Sequence, residues 1–79
     1  MILTFRHLSG KSFQIDIDPN SSIIIVKQIF SESCGISSNN IRFLFRSQLI
    51  PDSELIKNLY IQPNDFILFY EEIPEYELN

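Results

Sequence analysis

Residues 1 to 7, MILTFRH, place Met1, Leu3 and Phe5 on one face and Ile2, Thr4 and Arg6 on the other. This is the two-residue period of a half-buried strand. LSGK comes next, with Gly10 positioned to supply a positive φ, and SFQIDID resumes the alternation with Phe13, Ile15 and Ile17 turned inward. The first 18 residues therefore predict a β-hairpin. Pro19 cannot donate to a strand ladder, and Ser21 or Ser22 offers a side-chain oxygen to the free N–H groups of a starting helix. Ile23, Val26 and Phe30 then recur at helical spacing, and Gly35 suits the residue just past a helix end, so the pattern predicts a helix over residues 23–34. Its isoleucine-rich start lowers intrinsic helix propensity.

After the polar SSNN, the stretch IRFLF sets Ile41, Phe43 and Phe45 against Arg42 and Leu44, a third strand. RSQLIPD predicts a tight turn and a very short strand around Leu49, and residues 53–62 read as a loop with one helical turn near Leu55 to Leu59. A final strand is expected from Phe66 to Tyr70, with Ile67 and Phe69 inward. The order of elements implies an α+β roll in which one helix covers one face of a mixed sheet of four or five strands. Thr4, Arg6, Leu44, Leu68 and Tyr70 are left facing solvent on the other side.

That last strand breaks the alternation rule. FILFY is apolar on both faces, and it runs directly into Glu71, Glu72, Glu75 and Glu77. With a single helix to cover the sheet, Leu44, Leu68 and Tyr70 have nothing within the domain to bury them, which leaves open what their apolar face serves. One explanation is that Leu44 and Leu68 merely cover one another across neighbouring strands, a pair worth under about 1 kcal/mol.

Composition narrows the function classes. At 79 residues, with 44% apolar residues, the chain has material for one compact core and none for a second domain or a deep cleft. Ten acids against six scattered bases give a charge of −4, which argues against nucleic acid as a partner. Arg6, His7 and Lys11 are followed by no long apolar run, so neither a secretory signal nor a membrane span is expected. The single cysteine fits a reducing compartment, cytosolic or nuclear.

Candidate chemistry is sparse. Cys34 falls at the end of the helix, where the dipole opposes a thiolate, and reads as a packing residue. His7 falls in the first turn with no companion at metal-ligand spacing and reads as an exposed turn residue. Paired carboxylates, a nucleophile with its base and a phosphate loop are all missing from the sequence, so no enzyme, no cofactor and no metal are expected.

Taken together these segments resemble ubiquitin over nearly the whole chain. LSGK at 8–11 is similar to its first turn, and IDIDP at 15–19 to its second strand and the exit from that strand. Ile23 with VK at 26 and 27 is similar to its helix, GI at 35 and 36 comes directly after that helix, and IQ at 61 and 62 precedes its last strand. The turn at Arg46 and Ser47 lacks the glycine usual in the family and reads as one residue short, with an apparent insertion near Asn58. The resemblance implies a β-grasp roll over residues 1–72, with an acidic tail or the start of a linker over 73–79.

The resemblance also implies a function. The family's main recognition surface corresponds to Leu8, Leu44 and Tyr70, with Leu68 beside them in place of a histidine. Conjugation needs a flexible Gly-Gly carboxyl end, whereas Glu75 and Tyr76 stand in that region here, and the only glycines are Gly10 and Gly35. Glu71 and Glu72 replace basic residues that help an activating enzyme recognise ubiquitin. The expectation is a monomeric, non-conjugated binding module, most like the domains of DNA-repair-type proteasome shuttle receptors, with a ubiquitin receptor or proteasome subunit as its protein partner. The alternative is a structural domain held permanently in a large assembly, because Ile24, Ile25 and Ile29 lie off the buried helix stripe and form a candidate second apolar surface, unless some of them tuck under the loop at Ile50.

Overall fold

Alternation and helical spacing become five strands and one helix in the computed structural model, which describes residues 1–72. The strands are β1 (Ile2–His7), β2 (Ser12–Asp16), β3 (Ile41–Phe45), β4 (Gln48–Leu49) and β5 (Ile67–Glu71), and helix α1 spans Ile23–Cys34. They form one mixed sheet in the order β2-β1-β5-β3-β4, with β1 parallel to β5 and every other pair antiparallel. The first and last strands thus lie side by side at the centre of the sheet. The acidic tail expected after residue 72 lies outside the described residues.

The core forms where the inward stripe of the sheet meets the inward stripe of the helix. Leu3, Phe5, Phe43, Phe45, Ile67 and Phe69 from the strands bury against Ile23, Val26 and Phe30 of α1, with Ile17, Ile41, Ile50 and Ile56 closing the ends. Phe30 is the hub: its ring lies 4.5 Å from that of Phe69 and 5.0 Å from that of Phe5, and it meets Phe43 edge-on at 5.7 Å. Edge-to-face and tilted packing suits the aromatic quadrupole and adds about 0.5–1.5 kcal/mol per pair beyond the area buried. Phe13 and Ile15 of β2 are only half-buried, because β2 is the edge strand next to β1.

The helix ends where the sequence places them, but its start is satisfied differently. Gly35 takes φ 76° and its N–H donates to Ser31 O at 2.8 Å, the expected left-handed stop. Ser22 occupies the N-cap position without a side-chain cap hydrogen bond. Instead the N–H groups of Ile23 and Ile24 donate to the carbonyls of Glu54 and Asp52, at 2.8 and 3.1 Å. A helix start needs acceptors, and here the loop supplies them. Ile56 N–H to Ser21 O and Lys57 N–H to Pro19 O fasten the same loop in return, ahead of the helical turn Ile56–Leu59.

Two further expectations are corrected. The Arg46–Ser47 connection is not a residue short: Phe45 pairs with Gln48, so two residues close a complete hairpin, with φ at 51° and 69°. Both positive values belong to the turn type that matches strand twist and normally recruits glycine or asparagine. The last strand starts at Ile67 rather than Phe66 and extends to Glu71, because the β3 ladder continues through the Ile41↔Glu71 pair.

Candidate functional site

With Phe43, Phe45, Ile67 and Phe69 inward, Leu44, Leu68 and Tyr70 must point to the uncovered face. The ladders bring these positions together. Arg6 of β1 is opposite Leu68 of β5, Leu68 is opposite Leu44 of β3, and Leu44 is opposite Leu49 of β4, forming a row across four strands. Tyr70 stands opposite Arg42 in the next row. Leu44, Leu68 and Tyr70 are half-buried, whereas Leu49 is 59% exposed. Leu8 is 61% exposed in the turn one residue beyond the His7↔Phe69 pair. It is held only through that turn, whose bonds run from Gly10 N–H to His7 O and from His7 N–H to Lys11 O.

Leu49 is the apolar residue of this face that sequence reasoning missed. Its strand is two residues long, too short to display a period. The available signal was the length of the turn: a two-residue loop at 46–47 sets Leu49 across from Leu44.

His7 is not an exposed turn residue. It closes β1, is half-buried, and packs its ring 5.0 Å from that of Phe69. Ser9 N–H donates to Nδ1 at 3.1 Å, which leaves Nε2 to donate to Glu71, 3.0 Å from Oε1 and 3.1 Å from Oε2. The acids at the end of β5 therefore have internal partners, since the Glu72 carboxylate forms an ion pair with Arg42, 3.1 Å from Nε, and its N–H donates to Asn40 O at 2.7 Å. Cys34 sits half-buried at the last turn of α1 against the core, as a packing residue.

Beside the patch, Arg46 donates to Asp65 at 2.7 Å while its guanidinium lies 4.6 Å from the centre of the Phe45 ring. Asp65 also accepts the backbone N–H of Gln62 at 2.9 Å. The Gln62 N–H, followed by Arg46, holds its carboxyl below the ordinary 3.8. The hairpin turn is thus tied to the segment leading into β5.

The helix isoleucines do not act as one surface. Ile29 is half-buried against the core, whereas Ile24 and Ile25 remain 47% and 43% exposed. Ile24 lines a groove of about 610 Å³ with Leu49, Ile50 and Pro51, so this second surface begins where the outer face of the sheet ends. Lys27, at the groove's base, is buried and donates to Asp52 at 2.6 Å. Among the described residues no helix is long and apolar enough to cross a membrane, and no group of three or more His, Cys, Asp or Glu side chains is placed to hold a metal ion.

A five-stranded β-grasp with one helix on one face and an apolar row on the other defines a ubiquitin-like domain. The chain belongs to the ubiquitin family, whose model matches residues 3–72. It is similar to ubiquitin-like protein 4A-B of Salmo salar, with 29% identity over 63 residues that cover 80% of this chain and 42% of that one. Ubiquitin-like protein 4A of Danio rerio matches at 29% over 63 residues, covering 80% of this chain and 40% of its own. Ubiquitin-like protein 1 of Schizosaccharomyces pombe matches at 24% over 62 residues, 78% of this chain and 80% of the relative. The chain spans about two-fifths of the length of the 4A-type relatives.

Proposed function

We propose that this domain is a non-conjugated interaction module that docks through Leu8, Leu44, Leu68 and Tyr70 on ubiquitin receptors, those of the proteasome first among them. The observation that carries the reading is the Leu68–Leu44–Leu49 row on the face the helix leaves open. If the docking residues bury about 200–300 Å² of apolar area, transfer contributes roughly 5–8 kcal/mol before the costs of association. A contact in about the micromolar range is expected. The proteasome as partner follows from reading FQIDIDP and NDFILFY as similar to DNA-repair-type shuttle receptors, and a cytosolic or nuclear location is proposed with it.

Two features support the absence of conjugation. Glu75 and Tyr76 stand in the region where ubiquitin has its glycine pair, while Gly10 and Gly35 are both committed to positive-φ positions in the fold. Glu71 and Glu72 put negative charge where an activating enzyme's contacts with ubiquitin require positive charge. The test is titration of the purified chain with purified ubiquitin receptors of the proteasome regulatory particle. Saturable binding that Leu68→Glu removes supports the reading, and no binding up to about millimolar concentration overturns it.

A second reading has its own observation. Ile24 and Ile25 are exposed on the helix, and Ile24 lines the groove at Ile50, a place for a permanent neighbour in a larger assembly. An orphaned subunit of that kind aggregates as its concentration rises, whereas an independent module stays monomeric.

A further inference from the structure

All three arginines of this acidic chain come to the outer face of the sheet or its rim: Arg6 on β1, Arg42 on β3 and Arg46 in the β3–β4 turn. Two are neutralised within the domain, Arg42 by Glu72 at 3.1 Å and Arg46 by Asp65 at 2.7 Å. Arg6 differs. Among the described residues its guanidinium makes no ion pair and no side-chain hydrogen bond. It lies instead over the Phe66 ring, 4.1 Å from the centroid. Stacking on an aromatic face fixes the plane of a guanidinium while leaving its N–H edge free to donate, so the group is held in position yet unsatisfied. Arg6 is also the residue opposite Leu68, at the end of the apolar row.

On the reading that this face docks a protein segment, we propose that the Arg6–Phe66 stack is a selectivity subsite for a carboxylate, an aspartate or glutamate lying next to the apolar side chain that sits on Leu68 and Leu44. Charge complementarity carries the assignment. The guanidinium fork matches a carboxylate in two hydrogen bonds, and the described residues offer it none. The net charge of −4 repels an acidic segment in most orientations, so the unpaired arginine sets the register in which such a segment is accepted. A nucleic-acid backbone is the poorer fit, since its affinity comes from many phosphate contacts and, among the described residues, one arginine without an ion pair stands here.

The probes are two synthetic peptides of equal length, one with leucines flanked by glutamates and the other with glutamines in place of the glutamates, each titrated into the isotope-labelled chain. The glutamate peptide should shift Leu44, Leu68 and Phe66 resonances and bind at least about fivefold tighter than its glutamine counterpart. Arg6→Gln should reduce that preference to below about twofold and leave binding of the glutamine peptide unchanged, and Arg6→Lys should restore only part of it. Spectral dispersion verifies that each variant is folded. A preference that survives Arg6→Gln, or no preference at all, overturns the subsite while the patch reading stands, provided Leu68→Glu weakens both peptides. Binding of neither peptide overturns the patch and the subsite together. Shifts at Arg6 and Phe66 with a single-stranded oligonucleotide but not with the glutamate peptide overturn the carboxylate assignment in favour of phosphate.

Discussion

Leu44 and Leu68 stand directly opposite one another on the antiparallel β3–β5 ladder, on the face of the sheet that α1 does not cover. Each residue's sequence neighbours, Phe43 and Phe45 on one strand and Ile67 and Phe69 on the other, are buried. A single ladder therefore separates core from patch, and one position of register decides which role a residue has. Cross-strand cover explains why both leucines are half-buried, but the row continues past them to Leu49, which is 59% exposed. Mutual cover alone does not account for a row that runs on into an exposed leucine.

Leu44→Glu should abolish partner binding while costing only about 1 kcal/mol of stability, the order of a cross-strand pair. Phe43→Glu, one residue away, places an unpaired charge in the core at a cost of roughly 3–5 kcal/mol, comparable to the whole stability of a domain this size. Circular-dichroism melts of the two variants check the contrast. Equal loss of folding would mean that Leu44 belongs to the core.

Ser47 holds φ 69° without the freedom of glycine, beside Arg46 at φ 51°. Ser47→Gly should relieve about 0.5–1 kcal/mol of left-handed strain. For a domain of this length that raises the melting temperature by about 4–8 °C per kcal/mol gained. Arg46→Gly relieves similar strain but loses the Asp65 contact at 2.7 Å, so it should gain less. A lower melting temperature for Ser47→Gly would refute the turn assignment.

Much of this fold is legible in residue spacing. Ile23, Val26 and Phe30 with Gly35 define α1 from its apolar stripe and its stop, and IRFLF defines β3, because local period and burial agree there. The features that were not legible depend on distant chain. Ser22 looks like a cap, yet the acceptors come from Glu54 and Asp52, brought to the helix start by the tertiary fold. His7 looks like part of a turn, yet parallel pairing of β1 with β5 delivers Glu71 from 64 residues away. Leu44, Leu68 and Tyr70 could be placed on one face from alternation, whereas Leu49 and the Arg6–Phe66 stack depend on strand order and register.

Asp65 gives a pH signature. Its carboxyl titrates below the ordinary 3.8, chiefly through the Gln62 N–H and then through Arg46. A carboxyl held low in the folded state contributes stability that is complete above its unfolded pKa and is lost as pH falls through the folded value. Asp65→Asn should therefore be less stable than the parent chain near neutrality, with the difference closing in acid. Denaturant midpoints of both proteins between about pH 2 and pH 7 measure it. A difference that persists at the acid end would show that Asp65 acts through packing instead.

Given activating enzyme and ATP, this 79-residue chain should form no thioester through its own carboxyl end. Lys11 and Lys57 are exposed and remain available as acceptors, whereas Lys27 is buried against Asp52. A gel assay with a lysine-free variant separates donor from acceptor behaviour. A thiol-sensitive adduct of that variant with the activating enzyme would refute the prediction.

The last test asks which apolar surface holds the partner. The sheet patch sits on paired neighbouring strands, so Leu44 and Leu68 lose little side-chain entropy on docking. Ile24 and Ile25 are exposed on the helix, and Ile29, which would have widened that surface, is taken up by the core. The helix side therefore keeps two exposed isoleucines rather than three. In a pull-down with proteasome regulatory particles, Leu68→Glu should remove binding. Ile25→Glu should leave it within about threefold, a difference below roughly 0.7 kcal/mol. The reverse pattern would favour a domain seated permanently in an assembly through α1 and the groove at Ile50. Loss of binding by neither variant would exclude both surfaces as the docking site.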